Sequence, residues 1–380
     1  MFCKKCGAEL KPGAEFCSKC GTAAPAPAQQ SATQPASSAQ TGTSRTIVDS
    51  LNQYVGGKAG HVDLNWKDLF RDVFKSHTNE EAEDVFICGT KHTTPSVSEL
   101  TSSWPKPWLY SRIFLGFAIA FIILRICCEA FEIAAPILLP SVIFLGTFAV
   151  PISLVIMFME LNVFKNVSFY YLMKIFLIGG CASILLTMVL YQIILPDIDY
   201  FDFELTYPMA FGFSVAEEFG KVIIAFLFLR KLTKTHSILV GMVVGASVGA
   251  GFAALESAGY AFITLAVSAD WETFFQVIYL RGLLAPGSHV AWGAIGGAAL
   301  VMANTENPIT ASVFGETKFW RLFIIPIICH FLWDVPIEWG EDYCLVQLIL
   351  FVVIWIFVII LINLGLNEAE KAEDETQVKK

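Results

Sequence analysis

Between Ser111 and Leu364 the sequence is a succession of long apolar runs separated by short polar breaks, and this pattern constrains the fold more than any other feature. The runs fall near residues 111–131, 134–159, 169–195, 205–230, 237–265, 287–304, 319–337 and 344–364. A hydrocarbon layer about 30 Å thick takes roughly 20 helical residues, and in lipid every backbone amide needs an internal partner. Each run therefore reads as a membrane-spanning helix. Composition agrees: 16% of the 380 residues are charged and 55% are hydrophobic, whereas soluble domains are about a quarter charged. The net charge of −9 argues against a nucleic-acid partner.

Loop charges orient the runs. Starting from a cytosolic N-terminus, one set of segments carries Lys106, Arg112, Lys165, Lys174, Arg230, Lys231, Lys234, Lys318, Arg321, Lys371, Lys379 and Lys380. The opposite loops carry Glu129, Glu132, Asp197, Asp199, Asp202, Glu204, Asp270, Glu272, Glu338, Glu341 and Asp342. Cytosolic loops are enriched in Lys and Arg, so eight spans with both termini in the cytosol fit, and Arg281 is the one clear exception. The opening residues Met1–Cys6 hold no apolar stretch of the kind a cleavable signal needs.

Four of the ten cysteines stand in the first twenty residues as two matched knuckles, Phe2-Cys3-Lys-Lys-Cys6-Gly7 and Phe16-Cys17-Ser-Lys-Cys20-Gly21. Two C-x-x-C pairs supply a complete tetrahedral thiolate set, so Cys3, Cys6, Cys17 and Cys20 are expected to bind structural Zn²⁺. So short a module has no core, and the metal must supply its folding energy. The overall expectation is an all-α polytopic membrane bundle of about eight transmembrane helices preceded by a small zinc ribbon. Its divisions are a ribbon at 1–22, a Pro/Ala/Ser/Gln-rich linker at 23–46, a cytosolic juxtamembrane helical segment at 47–107, the membrane domain at 108–365 and a charged tail at 366–380. Within 47–107, the spacing of Trp66, Leu69, Phe70, Val73 and Phe74 predicts a short amphipathic helix, and Thr78–Glu81 reads as a capping box opening a second. The ribbon is expected to recruit a cytosolic protein partner.

Ionisable residues at membrane depth are costly and mark function. They gather in four consecutive runs as Glu217-Glu218-Phe-Gly-Lys221, Glu256, His289 and His330-Phe-Leu-Trp-Asp334. His330 and Asp334 are four residues apart and share a helix face; so do Glu217 and Lys221, whose spacing predicts that Lys221 neutralises Glu217. Arg125 and Glu129 have the same spacing near the end of the first run and read as an ion pair there. Counted along the helices at about 1.5 Å per residue, the buried set lies in the middle and outer part of the bilayer, with His289 nearest the surface. A carboxylate at such a site is suited to act as general base towards water. Gly241, Gly245 and Gly249, with Gly293 and Gly297, recur every four residues and predict close helix contact.

Glu217-Glu218-x-x-Lys221, Phe252-x-x-x-Glu256, His289 with the glycines after it, and His330-x-x-x-Asp334 together resemble the PrsW family of intramembrane proteases, over roughly residues 110–365. That family is related to the CAAX prenyl endopeptidases and the bacteriocin-processing proteins. The resemblance implies a glutamate-dependent peptidase that cleaves membrane-protein substrates within the lipid bilayer, in regulated proteolysis. Glu217 or Glu218 would activate water, His330 would stabilise the oxyanion or donate a proton, and Asp334 would orient His330. Glu256 stands where the CAAX-type relatives have a histidine. Two other readings remain open: a catalytic metal held by Glu256, His289, His330 and Asp334, and a non-enzymatic membrane sensor, transporter or scaffold.

Overall fold

The computed structural model describes residues 46–58, 60, 62, 64–90, 92–100, 103–131, 135–196, 205–232, 237–306, 308–335 and 344–378. The expected ribbon at 1–22 and almost all of the 23–46 linker lie outside the described residues. Among the described residues, the regular structure is all helical.

The segment ahead of the first span holds two helices, α1 (Ile47–Tyr54) and α2 (Asn79–Ile87). Both start at capping boxes, Thr46 with Asp49 and Thr78 with Glu81, in which side chains bond the free amides of the first turn. The helix expected over Trp66–Phe74 is reduced to a 3-10 turn at Asp68–Phe70. Leu69 is buried against the bundle while Phe70 and Phe74 are exposed. With only Leu69 buried and Trp66 partly buried against the core, instead of a full buried stripe, so short a segment lacks the tertiary packing that sustains a helix.

The bundle follows as α3 (Leu109–Ala130), α4 (Ala135–Leu161), α5 (Phe169–Lys174), α6 (Gly180–Ile194), α7 (Tyr207–Lys231), α8 (Ile238–Ser268), α9 (Trp271–Leu284), α10 (His289–Ala303), α11 (Thr317–Asp334) and α12 (Leu345–Val378). A π turn at Ile175–Gly179 joins α5 to α6 into one span, Phe169–Ile194. Glu160, near the end of α4, accepts from the backbone amides of Trp108, Leu109 and Tyr110 at 2.9–3.0 Å, and so satisfies the first amides of α3. The expected pair of Arg125 and Glu129 forms at 2.9 Å.

Among the described residues, five helices are long and apolar enough to cross a membrane: Leu109–Ala130, Ile137–Leu161, Phe169–Ile194, Ile238–Ser268 and Leu345–Asp374. The runs of the other three expected spans fold as the helices α7, α10 and α11. Helix α7 carries five charged residues, α11 carries three and α10 has only 15 residues, so length and hydropathy alone do not mark them. These three pack inside the bundle and present the polar groups described below.

Helix α8 is the hub: 94% of its apolar window is buried, against 11% for α3 on the periphery. Its glycines explain how α10 approaches so closely. A Cβ on Gly241 would strike the carbonyl oxygen of Gly297, one on Gly245 that of Gly293, and one on Gly249 that of His289. The expected glycine contact is thus a direct α8–α10 interface, and it presses the first residue of α10 onto α8.

Helix α9 has no counterpart in the expected spans. It is 14 residues long, too short to cross, and its Phe274, Phe275 and Ile278 pack with Phe121 of α3, Val142 of α4 and Ala261 of α8. It lies against the bundle and delivers Arg281 to the interior.

Candidate active site

Helix α7 turns one face into the bundle, burying Glu217, Glu218 and Lys221 side by side. The spacing argument paired Lys221 with Glu217, four residues away. Its ammonium instead lies 2.6 Å from Glu218 Oε1, three residues away, and 2.7 Å from His289 Nδ1 of α10. Phe252 and Trp292 flank it, with ring centroids 4.7 and 5.4 Å from Nζ. Such a charge is tolerable because it is hydrogen-bonded and shielded by aromatic faces.

Glu218 also meets His330 Nδ1 at 2.8 Å, and the other nitrogen of that ring, Nε2, lies 3.1 Å from Asp334 Oδ2. The expected pairing of His330 with Asp334 is therefore present, with Glu218 fixing the far side of the ring. Trp292 stacks on His330 with centroids 4.4 Å apart. On the other flank, His289 Nε2 lies 3.1 Å from Glu256 Oε2, and the same oxygen is held by Arg281 of α9. Arg281 also donates from Nε to Ser257 Oγ at 2.9 Å and lies over the Tyr260 ring. Seven side chains thus join in one sequence of contacts: Arg281, Glu256, His289, Lys221, Glu218, His330 and Asp334.

Glu217 sits inside this chain of contacts. Tyr191 of α6 donates to its Oε1 at 2.5 Å. Among the described residues its Oε2 is buried without a hydrogen-bond partner, 3.6 Å from His330 Nε2 and 3.9 Å from His289 Nδ1. A buried, unsatisfied carboxylate oxygen is expensive and is retained where a ligand or substrate completes it. Access comes from the Glu256 and Asp334 side, where these side chains are 20% and 28% exposed while Glu218 and Lys221 are 2% exposed.

All six residues expected at the site converge: Glu217, Glu218, Glu256, His289, His330 and Asp334. His289, the member of the set expected nearest the membrane surface, is enclosed by protein. It is 7% exposed, because the α8 glycines draw the start of α10 inward and Phe252, Trp292 and His330 surround its ring. Cys3, Cys6, Cys17 and Cys20 lie outside the described residues. Three participants were not anticipated as site residues. Lys221 was read only as a counter-ion, Tyr191 sits within an apolar run, and Arg281 had announced itself only as the exception to the loop-charge pattern.

The chemistry of the donors fits a divalent metal. Glu217, His289 and His330 each offer one ligand atom, all within 4.8 Å of one another, a carboxylate–imidazole set of the kind zinc and other first-row metals take. The metal reading based on Glu256, His289, His330 and Asp334 is thereby altered: Glu217 is the carboxylate in this set, Glu256 lies behind His289 and Glu218 behind His330, while Asp334 and Lys221 contact the same ring nitrogens that face Glu217. Carboxylates placed behind the rings orient ligating histidines.

A family model described as PrsW family intramembrane metalloprotease matches residues 168–362, just over half of the chain and inclusive of every residue of this site. A zinc-ribbon domain model matches residues 2–23. No curated protein and no solved structure gives a significant match.

Proposed function

The chain belongs to the PrsW family of intramembrane proteases, and we propose that it hydrolyses peptide bonds of membrane-protein substrates with Glu217 as the group that takes a proton from water. The observation that supports this most directly is the unpartnered Glu217 Oε2, buried between two imidazoles. Water hydrogen-bonded there gives its proton to Oε2 as its oxygen attacks the scissile carbonyl carbon. The proton then passes to the departing amine nitrogen as the C–N bond breaks. His330, held by Glu218 and Asp334, faces the same volume and stabilises the oxygen on which charge develops. Glu218 accepts from both Lys221 and His330, which makes it a positioning residue for the ring and not the base.

A divalent ion held by Glu217, His289 and His330 would lower the pKa of a bound water and polarise the carbonyl. In either form Glu217 is indispensable and Glu256 fixes His289 from behind. The protein's orientation in this proposal follows its loop charges, with both termini in the cytosol. The ribbon holds structural zinc on Cys3, Cys6, Cys17 and Cys20 and recruits a cytosolic protein, placing cleavage under regulation.

The test is cleavage of tagged single-span substrates by the full chain in liposomes. Glu217→Gln is expected to lower the rate by roughly 10²–10⁴-fold, the usual worth of a general base. Cleavage by Glu217→Gln at the wild-type rate would sink the proposal. Activity lost to a chelator and restored by Zn²⁺ would replace the free-carboxylate form with the metal-assisted one.

A further inference from the structure

A second cavity, of about 330 Å³, lies at the opposite end of the bundle from Asp334, where α8 begins, α10 ends and α11 begins. Four cationic side chains line it: Lys58 from the loop after α1, Lys318 and Arg321 from the first turns of α11, and Lys371 from α12. Among the described residues none of the four is in an ion pair. The carboxylate in the lining, Glu368, accepts from the Ile238 amide at the start of α8 at 2.8 Å and interacts electrostatically with Lys371. Four cations against one carboxylate leave the cavity with a surplus of positive charge suited to an anion, and its concave shape distinguishes it from scattered surface lysines.

The depth of the cavity identifies the anion. On α12 the lining passes from Leu364 to Asn367, Glu368 and Lys371, and on α11 from Leu322 back to Arg321 and Lys318. Both helices change there from apolar to charged, which is the level of lipid headgroups. The remaining wall is apolar, formed by Val55, Ile238 and Met302. A cationic rim over an apolar wall at headgroup height matches a phosphodiester with its glycerol and upper acyl carbons, and basic pockets between spanning helices take such headgroups. We propose that this cavity binds the phosphate headgroup of an anionic phospholipid. The bound lipid bridges Lys58 to α11 and α12 and so ties the segment that precedes the first span to the bundle. Along α10 the cavity is about 20 Å from His289, so the site is separate from the peptidase centre.

The experiment uses the delipidated full chain in detergent, with lipid retention read by native mass spectrometry and stabilisation by thermal unfolding. Phosphatidylglycerol, phosphatidylcholine and inorganic phosphate are added in separate arms. Phosphatidylglycerol is expected to be retained and to raise the unfolding midpoint; phosphatidylcholine and inorganic phosphate are not. The double variant Lys318→Gln/Arg321→Gln should lose about fivefold in retention per cation, about thirtyfold together. Arg71→Gln/Lys75→Gln, with the same change of charge in the segment before α3, should retain lipid as wild type does. Lys58→Gln/Lys371→Gln gives the same reading from the other wall should the first variant unfold. Equal retention by wild type and the cavity variants overturns the proposal, as does equal retention of phosphatidylcholine or an equal loss in the Arg71/Lys75 variant. Stabilisation by inorganic phosphate matching that of phosphatidylglycerol overturns the lipid assignment in favour of a soluble phosphate.

Discussion

Replacing Lys221 by methionine tests how the buried charges are held. The ammonium is 2% exposed, 2.6 Å from Glu218 and 2.7 Å from His289 Nδ1, and methionine keeps the length of the stem while removing the charge. Removing one partner of a buried pair strands the other and costs about 3–5 kcal/mol. In membranes the unfolded reference also finds partners for polar groups, so the lower end applies, about 3 kcal/mol or roughly 150-fold in the folding equilibrium. Adding Glu218→Gln removes the stranded carboxylate, and the double variant should recover about 2 kcal/mol relative to the sum of the singles. Stability is measured by reversible unfolding in mixed dodecylmaltoside–SDS micelles across the four proteins of the cycle. A coupling energy below about 0.5 kcal/mol would mean that Lys221 and Glu218 do not act as a pair, and the reasoning would fail.

Other outcomes follow from the same geometry. Arg281→Gln removes the charged partner of Glu256, a bond worth about 1.5–3 kcal/mol, and cleavage should fall by roughly ten- to a hundredfold, with Arg281→Lys partly restoring it. Wild-type cleavage by Arg281→Gln would show that α9 does not organise the site. Gly249→Val drives a side chain into the His289 carbonyl and should cost about 1–3 kcal/mol together with activity, whereas Gly259→Ala, facing open space, should change neither. Equal behaviour of the two would contradict the close α8–α10 contact. Changing Cys3, Cys6, Cys17 and Cys20 to serine should release about one zinc per chain. Zinc that remains and then disappears on adding His330→Ala would locate a second ion in the membrane site.

Much of this architecture could be read from residue patterns. Helices with uniform apolar composition, such as α4 and α8, declare themselves by length, and the intramembrane Glu, His and Asp residues stand out because lipid makes them costly. The glycine spacing on α8 and α10 named its own interface. Other features depended on three-dimensional context. The partner of Lys221 was misassigned because helical spacing allows both i+3 and i+4, and only the position of His289 on another helix decides between them. Helix α9 escaped notice because it is too short to span and takes its stability from α3, α4 and α8. The amphipathic pattern at Trp66–Phe74 misled, because periodicity reports an apolar face without saying whether a surface exists to receive it.

The pairing of Lys221 with Glu218 also bears on how the protein is made. Both groups belong to one helix, three residues apart, so α7 can enter the membrane with those two charges already neutralising each other. His330 is synthesised more than a hundred residues later and arrives on α11. The nascent chain therefore inserts its most polar span with Lys221 and Glu218 already paired, leaving Glu217 as the carboxylate without a cationic partner on its own helix. The candidate site is completed only when α10 and α11, the helices that carry His289 and His330, dock against α7.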